Sequence, residues 1–222
     1  MGGGRTWSER LISCLKQIET EYIMFLLDDF FLHSKVKQDR IAEICLWLDN
    51  EKEKKIANFQ LYPLSAEYDL EEKYTGFVKA KENYPYLVNC QAAIWRKKAL
   101  LDILKKEESP WQFEDNGSRR ALKKGYEFYF LNVGEPMPEE KAIYHYILSI
   151  TLGYGVAGGK WLFNNDKLFK AFGINADFSH RSMWKNREEI LNWIETNRIA
   201  AEENKPSVLK RIVNRIRKIF RG

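Results

Sequence analysis

Two adjacent carboxylates, Asp28 and Asp29, end an unbroken apolar run from Tyr22 to Leu27. Paired acids at such a point can hold a hard divalent cation through oxygen, and the cation can hold phosphates. An apolar run of this length predicts a strand buried on both faces, as in a parallel sheet. Ligands of open α/β sheets bind outside the carboxyl ends of such strands. Phe30, Phe31 and Leu32 follow directly, so the acids stand between apolar blocks, where an unpartnered charge is expensive. The pair is therefore expected to meet a metal or a ligand.

A second acidic pair, Glu114-Asp115, follows Trp111 and Phe113 in the segment from Glu108 to Asp115, which reads as a loop. Asp115 or Asn116 can cap the next helix, which leaves Glu114 free. A carboxylate beside two aromatic rings is partly desolvated; its basicity rises and it suits a general base. Small residues in Asn89 to Trp95 would let a ligand approach a strand closely, which brings in Gln91 and Trp95. With seven Trp and 14% aromatics, rings such as Trp95 and Trp111 could line a substrate site as well as fill a core. Among the histidines, His145, between Tyr144 and Tyr146, is the candidate third metal ligand.

These groups need elements to position them. Thr6 and Glu9 form a capping box for a helix carrying Trp7, Leu11, Ile12, Leu15 and Ile18 at helical spacing. The strand at 22–27 follows. Ser34 can cap a second helix with Ile41, Ile44, Cys45 and Leu48 on one face. Strands are expected at 56–62, 86–95 and 126–133, with a helix at 97–106 and a short basic helix ending at Lys124 before Gly125. Residues 64–83 read as a surface excursion. Gly153 to Lys160 misses phosphate-loop spacing and reads as a turn or a mobile loop, and 186–203 reads as a helix. The order predicts an α/β fold with a mixed sheet flanked by helices.

Three stretches, "EYIMFLLDDFFL", "NCQAAIWRKKALLDIL" and "ESPWQFE", together resemble bacterial GT-A-type, family 2-like glycosyltransferases of surface-polysaccharide synthesis. The resemblance covers about residues 7–135 and implies a GT-A-like (nucleotide-diphospho-sugar transferase) fold. It also implies metal-dependent transfer of a hexose-type sugar, with inversion at the anomeric carbon, from a nucleotide-sugar donor to a glycan or lipid-linked acceptor. It gives Asp28 and Asp29 the role of the acid motif that holds Mn or Mg on the diphosphate. Glu114, with Asp115 second, becomes the base, and Gln91 lies near the donor sugar. Only 27 residues precede Asp28, whereas one βαβ unit takes about 30 or more. The nucleotide-recognition half therefore reads as N-terminally shortened.

The expected domains are a partial catalytic domain at 1–185 and a helical region at 186–222. The latter includes a basic amphipathic helix at 207–221, where Ile212, Val213, Ile216, Ile219 and Phe220 form a stripe flanked by Lys and Arg. Such a helix suits an anionic membrane surface; docking on the domain is the alternative, beside nucleic-acid binding through phosphates. No apolar run is long enough for a membrane span, and three widely spaced Cys in a chain of net charge +5 fit a reducing compartment. The expected location is cytoplasmic, peripheral on the inner face of the membrane, with no nucleic-acid partner. Two other readings stay open: a catalytically incomplete homologue acting as a membrane-associated binding partner, and a nucleic-acid-binding protein using the basic tail.

Overall fold

The structure is a computed structural model. It describes residues 6–28, 31–32, 34–51, 55–62, 73–82, 84, 86–132, 143–144 and 155–203, the last with side chains to 197. The chain divides into two compact units, 1–146 and 147–222, an earlier boundary than the expected 185/186.

Unit 1 is an α/β fold around a five-stranded mixed sheet. Its elements are α1 (Trp7–Gln17), β1 (Tyr22–Phe25), α2 (Gln38–Asn50), β2 (Ile56–Gln60), β3 (Phe77–Lys79), β4 (Ala93–Arg96), α3 (Lys97–Ile103), α4 (Pro110–Lys124) and β5 (Glu127–Leu131). The strand order is β1-β4-β2-β5-β3. Only β2 and β5 run parallel; the other three pairings are antiparallel.

Alternation along the strands splits the core. Ala93, Trp95, Phe128 and Phe130 pack with Leu15 of α1, Leu100 of α3 and Phe113 of α4. Ile94, Phe59, Tyr129 and Leu131 pack with Ile44 and Leu48 of α2. These sets belong to opposite sheet faces because successive strand side chains point opposite ways.

Polar contacts lock the helices to the sheet. Arg96 donates from Nε to the Ile56 carbonyl (3.3 Å), from Nη2 to that of Leu48 (2.9 Å) and from Nη1 to Glu21 (3.1 Å). Arg120 grips the buried Glu108 carboxylate with two bonds of 2.8 and 2.6 Å. The Glu108 backbone N–H donates to Ser8 Oγ (2.9 Å), joining α1 to the start of α4.

Several expectations change. β1 is a half-buried edge strand antiparallel to β4, not a strand buried on both faces of a parallel sheet. The fully buried strand is β2. α2 begins at Gln38, and its N-cap Lys37 makes no side-chain cap bond, so Ser34 does not cap it. β3 lies inside the expected surface excursion. The strand expected at 86–95 begins only at Ala93 and runs one residue further, as β4 (Ala93–Arg96). α4 begins at Pro110 because Ser109 and Gln112 form a capping box with Pro at the first turn. Glu114 and Asp115 are therefore helical. Gly125 closes α4 in the left-handed conformation at φ 67°, as expected from its position.

Unit 2 holds a hairpin of β6 (Val156–Ala157) and β7 (Lys160–Trp161), then α5 (Asn165–Ala171) and α6 (Arg187–Glu203). Gly158 and Gly159, both at positive φ, make the turn of this hairpin. Leu162, Trp184 and Ile190 form a small core.

Candidate functional site

Strand pairing gathers the candidate residues at one end of the sheet. Phe25, the last residue of β1, pairs with Ala93, the first of β4. Gln60, the last of β2, pairs with the same Ala93 and with Phe130 near the end of β5. The carboxyl ends of the parallel pair thus share an edge with the exit of β1. Asp28 lies three residues beyond Phe25, and Cys90 three residues before Ala93. Asp28 is exposed in a turn.

Residues 87–90 are buried but irregular, so their backbone groups need partners from outside the sheet. α4 supplies them. Ser118 Oγ accepts the Val88 N–H (2.9 Å) and lies 3.3 Å from the Val88 carbonyl and 2.6 Å from that of Glu114. Glu114 Oε1 accepts the Cys90 N–H at 2.9 Å. The approach depends on Gly117, where a Cβ would stand 3.1 Å from the Phe113 ring and 3.3 Å from Val88 Cγ1.

Burial raises the Glu114 carboxyl above its usual range, and the hydrogen bonds from the Cys90 N–H and thiol only partly oppose this. The same burial, with the Glu114 charge beside it, pushes the Cys90 thiol up. Cys90 is therefore a packed donor, and a thiolate is strongly disfavoured there. Glu114 is half-buried and combines raised basicity with a fixed position, two properties a general base needs.

The remaining candidates fall in different places. Asp115 points to solvent and pairs with Arg119 one turn on. Trp111, in the first turn of α4, is 77% exposed. Trp95 is 0% exposed and packs edge-on against Phe128. It is a core residue on the face of the sheet that packs against α1, α3 and α4. Gln91 is partly exposed, and its N–H donates to Asn89 Oδ1 at 3.0 Å. Asp29, His145 and the helix expected at 207–221 lie outside the described residues. Among the described residues no three His, Cys, Asp or Glu side chains converge on a metal position.

The expectation from sequence missed Cys90 and Ser118, which act through backbone contacts that residue type alone does not reveal. It also missed Asn58 and Gln60. Both are fully buried on β2, and neither amide finds a hydrogen-bond partner among the described residues. Two amides at alternate positions of an otherwise apolar strand were the available signal, since such groups share one face.

Among the described residues no helix is long and apolar enough to cross a membrane. Compared with protein-family models, curated proteins and solved structures, the chain gives no match.

Proposed function

We propose that the chain is a GT-A-like, metal-dependent glycosyltransferase of surface-polysaccharide synthesis. In this reading it moves a sugar from a nucleotide-sugar donor to a glycan or lipid-linked acceptor at the inner membrane surface. The observation that carries the reading is the register Phe25–Ala93, which brings the Asp28 turn and the segment held by Glu114 to one end of the sheet. Asp28 offers an exposed oxygen donor of the kind Mn or Mg prefers, and Asp29 is its expected companion. The bound cation would offset the negative charge that develops on the departing diphosphate.

Glu114 takes the proton of the acceptor hydroxyl. The freed oxygen forms a bond to the anomeric carbon as the bond from that carbon to the diphosphate oxygen breaks. One base suffices for this inverting displacement. Trp111, one turn before Glu114 and exposed, offers a face on which a sugar ring can stack. Asp115 fits this scheme less well, because it is exposed and held in a pair with Arg119.

A specific observation favours a second reading, the catalytically incomplete homologue. The bond from Cys90 N–H to Glu114 is a fold contact that an inactive relative would keep. Titration calorimetry with MnCl2 and UDP or GDP separates the two. Binding of a nucleoside diphosphate that requires Mn and disappears in Asp28→Asn with Asp29→Asn supports the transferase. A folded chain that binds neither diphosphate supports the incomplete homologue.

A further inference from the structure

Unit 2 carries an apolar point unrelated to the acids of unit 1. α5 ends in a Schellman turn: the Ile174 N–H donates to the Phe169 carbonyl (2.9 Å) and the Gly173 N–H to that of Lys170 (3.1 Å). Gly173 sits at φ 68°, a conformation glycine adopts without strain. The turn is closed by its own backbone bonds, so it presents its side chains in a fixed way. Those side chains are Phe172 and Ile174, 52% and 53% exposed. In such turns the residue after the glycine often folds back onto the helix; Ile174 nonetheless stays half in solvent.

The surroundings indicate what covers this point. Lys167 and Lys170 on α5 are exposed. Phe169 packs on Phe178, Phe178 on Trp161, and Arg181 lies 4.9 Å over the Trp161 ring. Residues 160–187 hold six Lys and Arg against two acids, Asp166 and Asp177. Large exposed apolar groups on a turn closed by its own backbone bonds, in a segment with a surplus of cations, match an interface with apolar depth and anionic headgroups.

We propose that the Phe172–Gly173–Ile174 tip inserts into an anionic lipid surface, a contact separate from the expected tail helix. The inference deepens the membrane-surface part of the proposed function and rests on it. It does not depend on the transfer chemistry. The tip carries the apolar insertion, and Lys167, Lys170 and Arg181 meet lipid phosphates.

Vesicle co-sedimentation of the full chain tests this, using phosphatidylcholine alone and phosphatidylcholine with phosphatidylglycerol. Phe172→Ser with Ile174→Ser is compared with the tail variant Ile212→Ser, Ile216→Ser, Ile219→Ser. Circular dichroism checks that each is folded. The chain is expected to bind the anionic vesicles, with the tip variant weakened about ten-fold or more and the tail variant still losing affinity when the tip changes are added. Binding that is equal in the tip variant overturns the tip alone and leaves the membrane reading standing on the tail. No binding of the unaltered chain to either vesicle overturns both. A tip-dependent change in the sedimentation of the free chain, with no lipid effect, would instead mark contact between copies and overturn the proposal.

Discussion

Glu114 Oε1 accepts the backbone N–H of Cys90 at 2.9 Å, and this bond ties α4 to the segment that leads into β4. One carboxylate thus has two possible duties, holding the backbone and accepting a proton. Glu114→Gln separates them, because the amide oxygen still accepts the N–H but takes no proton. Unfolding midpoints in urea should be unchanged or slightly higher for Glu114→Gln. Glu114→Ala should lose about 1–3 kcal/mol by leaving the N–H unsatisfied. Transfer activity should fall about 10²–10⁴-fold in both. Full activity in Glu114→Gln would remove Glu114 from the chemistry.

The pH dependence has opposite signs for activity and stability. Burial raises the Glu114 carboxyl, so the active, deprotonated base is lost as pH falls through a value above the ordinary glutamate range. In that window the folded state holds the proton more often than the unfolded state. The contribution of Glu114 to stability therefore falls as pH rises through it. A pH–rate profile should show an acidic limb above the usual carboxylate range, and the difference in unfolding free energy between the wild type and Glu114→Gln should grow with pH across it. A limb at the ordinary glutamate value would contradict the desolvated setting.

Gly117 lets α4 reach Val88. A valine there would put branched carbons where the Phe113 ring and Val88 already stand within 3.3 Å of an added Cβ. Gly117→Val should cost about 1–3 kcal/mol by overpacking, read as a lower thermal midpoint. An unchanged midpoint would show that the 88–92 segment yields freely.

Arg120 and Glu108 form a two-bond ion pair at the α1–α4 junction. Arg120→Met strands a buried carboxylate and should cost about 3–5 kcal/mol. Adding Glu108→Leu should recover much of the loss, because an apolar pair replaces an ionic one. A double variant as unstable as the single would mean that packing, not charge, decides the site.

Asn58 and Gln60 bury amides without partners among the described residues. Asn58→Leu with Gln60→Met should be neutral or stabilising, by up to about 2 kcal/mol, since unsatisfied buried polar groups are removed. A loss of similar size in chemical denaturation would reveal partners for those amides.

How far the sequence was legible follows from where the information lies. α1 was readable because Thr6 and Glu9 satisfy its end locally, and Gly125 because its left-handed φ calls for glycine. α4 carries an equally local signal in Ser109, Pro110 and Gln112, which close a capping box. β1 was placed correctly and its antiparallel edge position was not legible, because an apolar run does not record the direction of the neighbouring strand. β3 is three residues long, too short for periodicity. Of the candidate site, Asp28 and Glu114 were visible as acids beside apolar blocks. The burial of Trp95 was not legible, because ring type does not say whether a ring faces solvent or core. The clamp on 88–90 is tertiary and left no pattern.

The most direct test of the central claim is nucleoside-diphosphate release by the full chain with MnCl2 from UDP-glucose, UDP-N-acetylglucosamine and GDP-mannose. Mn-dependent release from at least one donor is expected, lost in Asp28→Ala and in Glu114→Gln while both variants stay folded. Absence of release from every donor, or release that persists in Asp28→Ala, would contradict it.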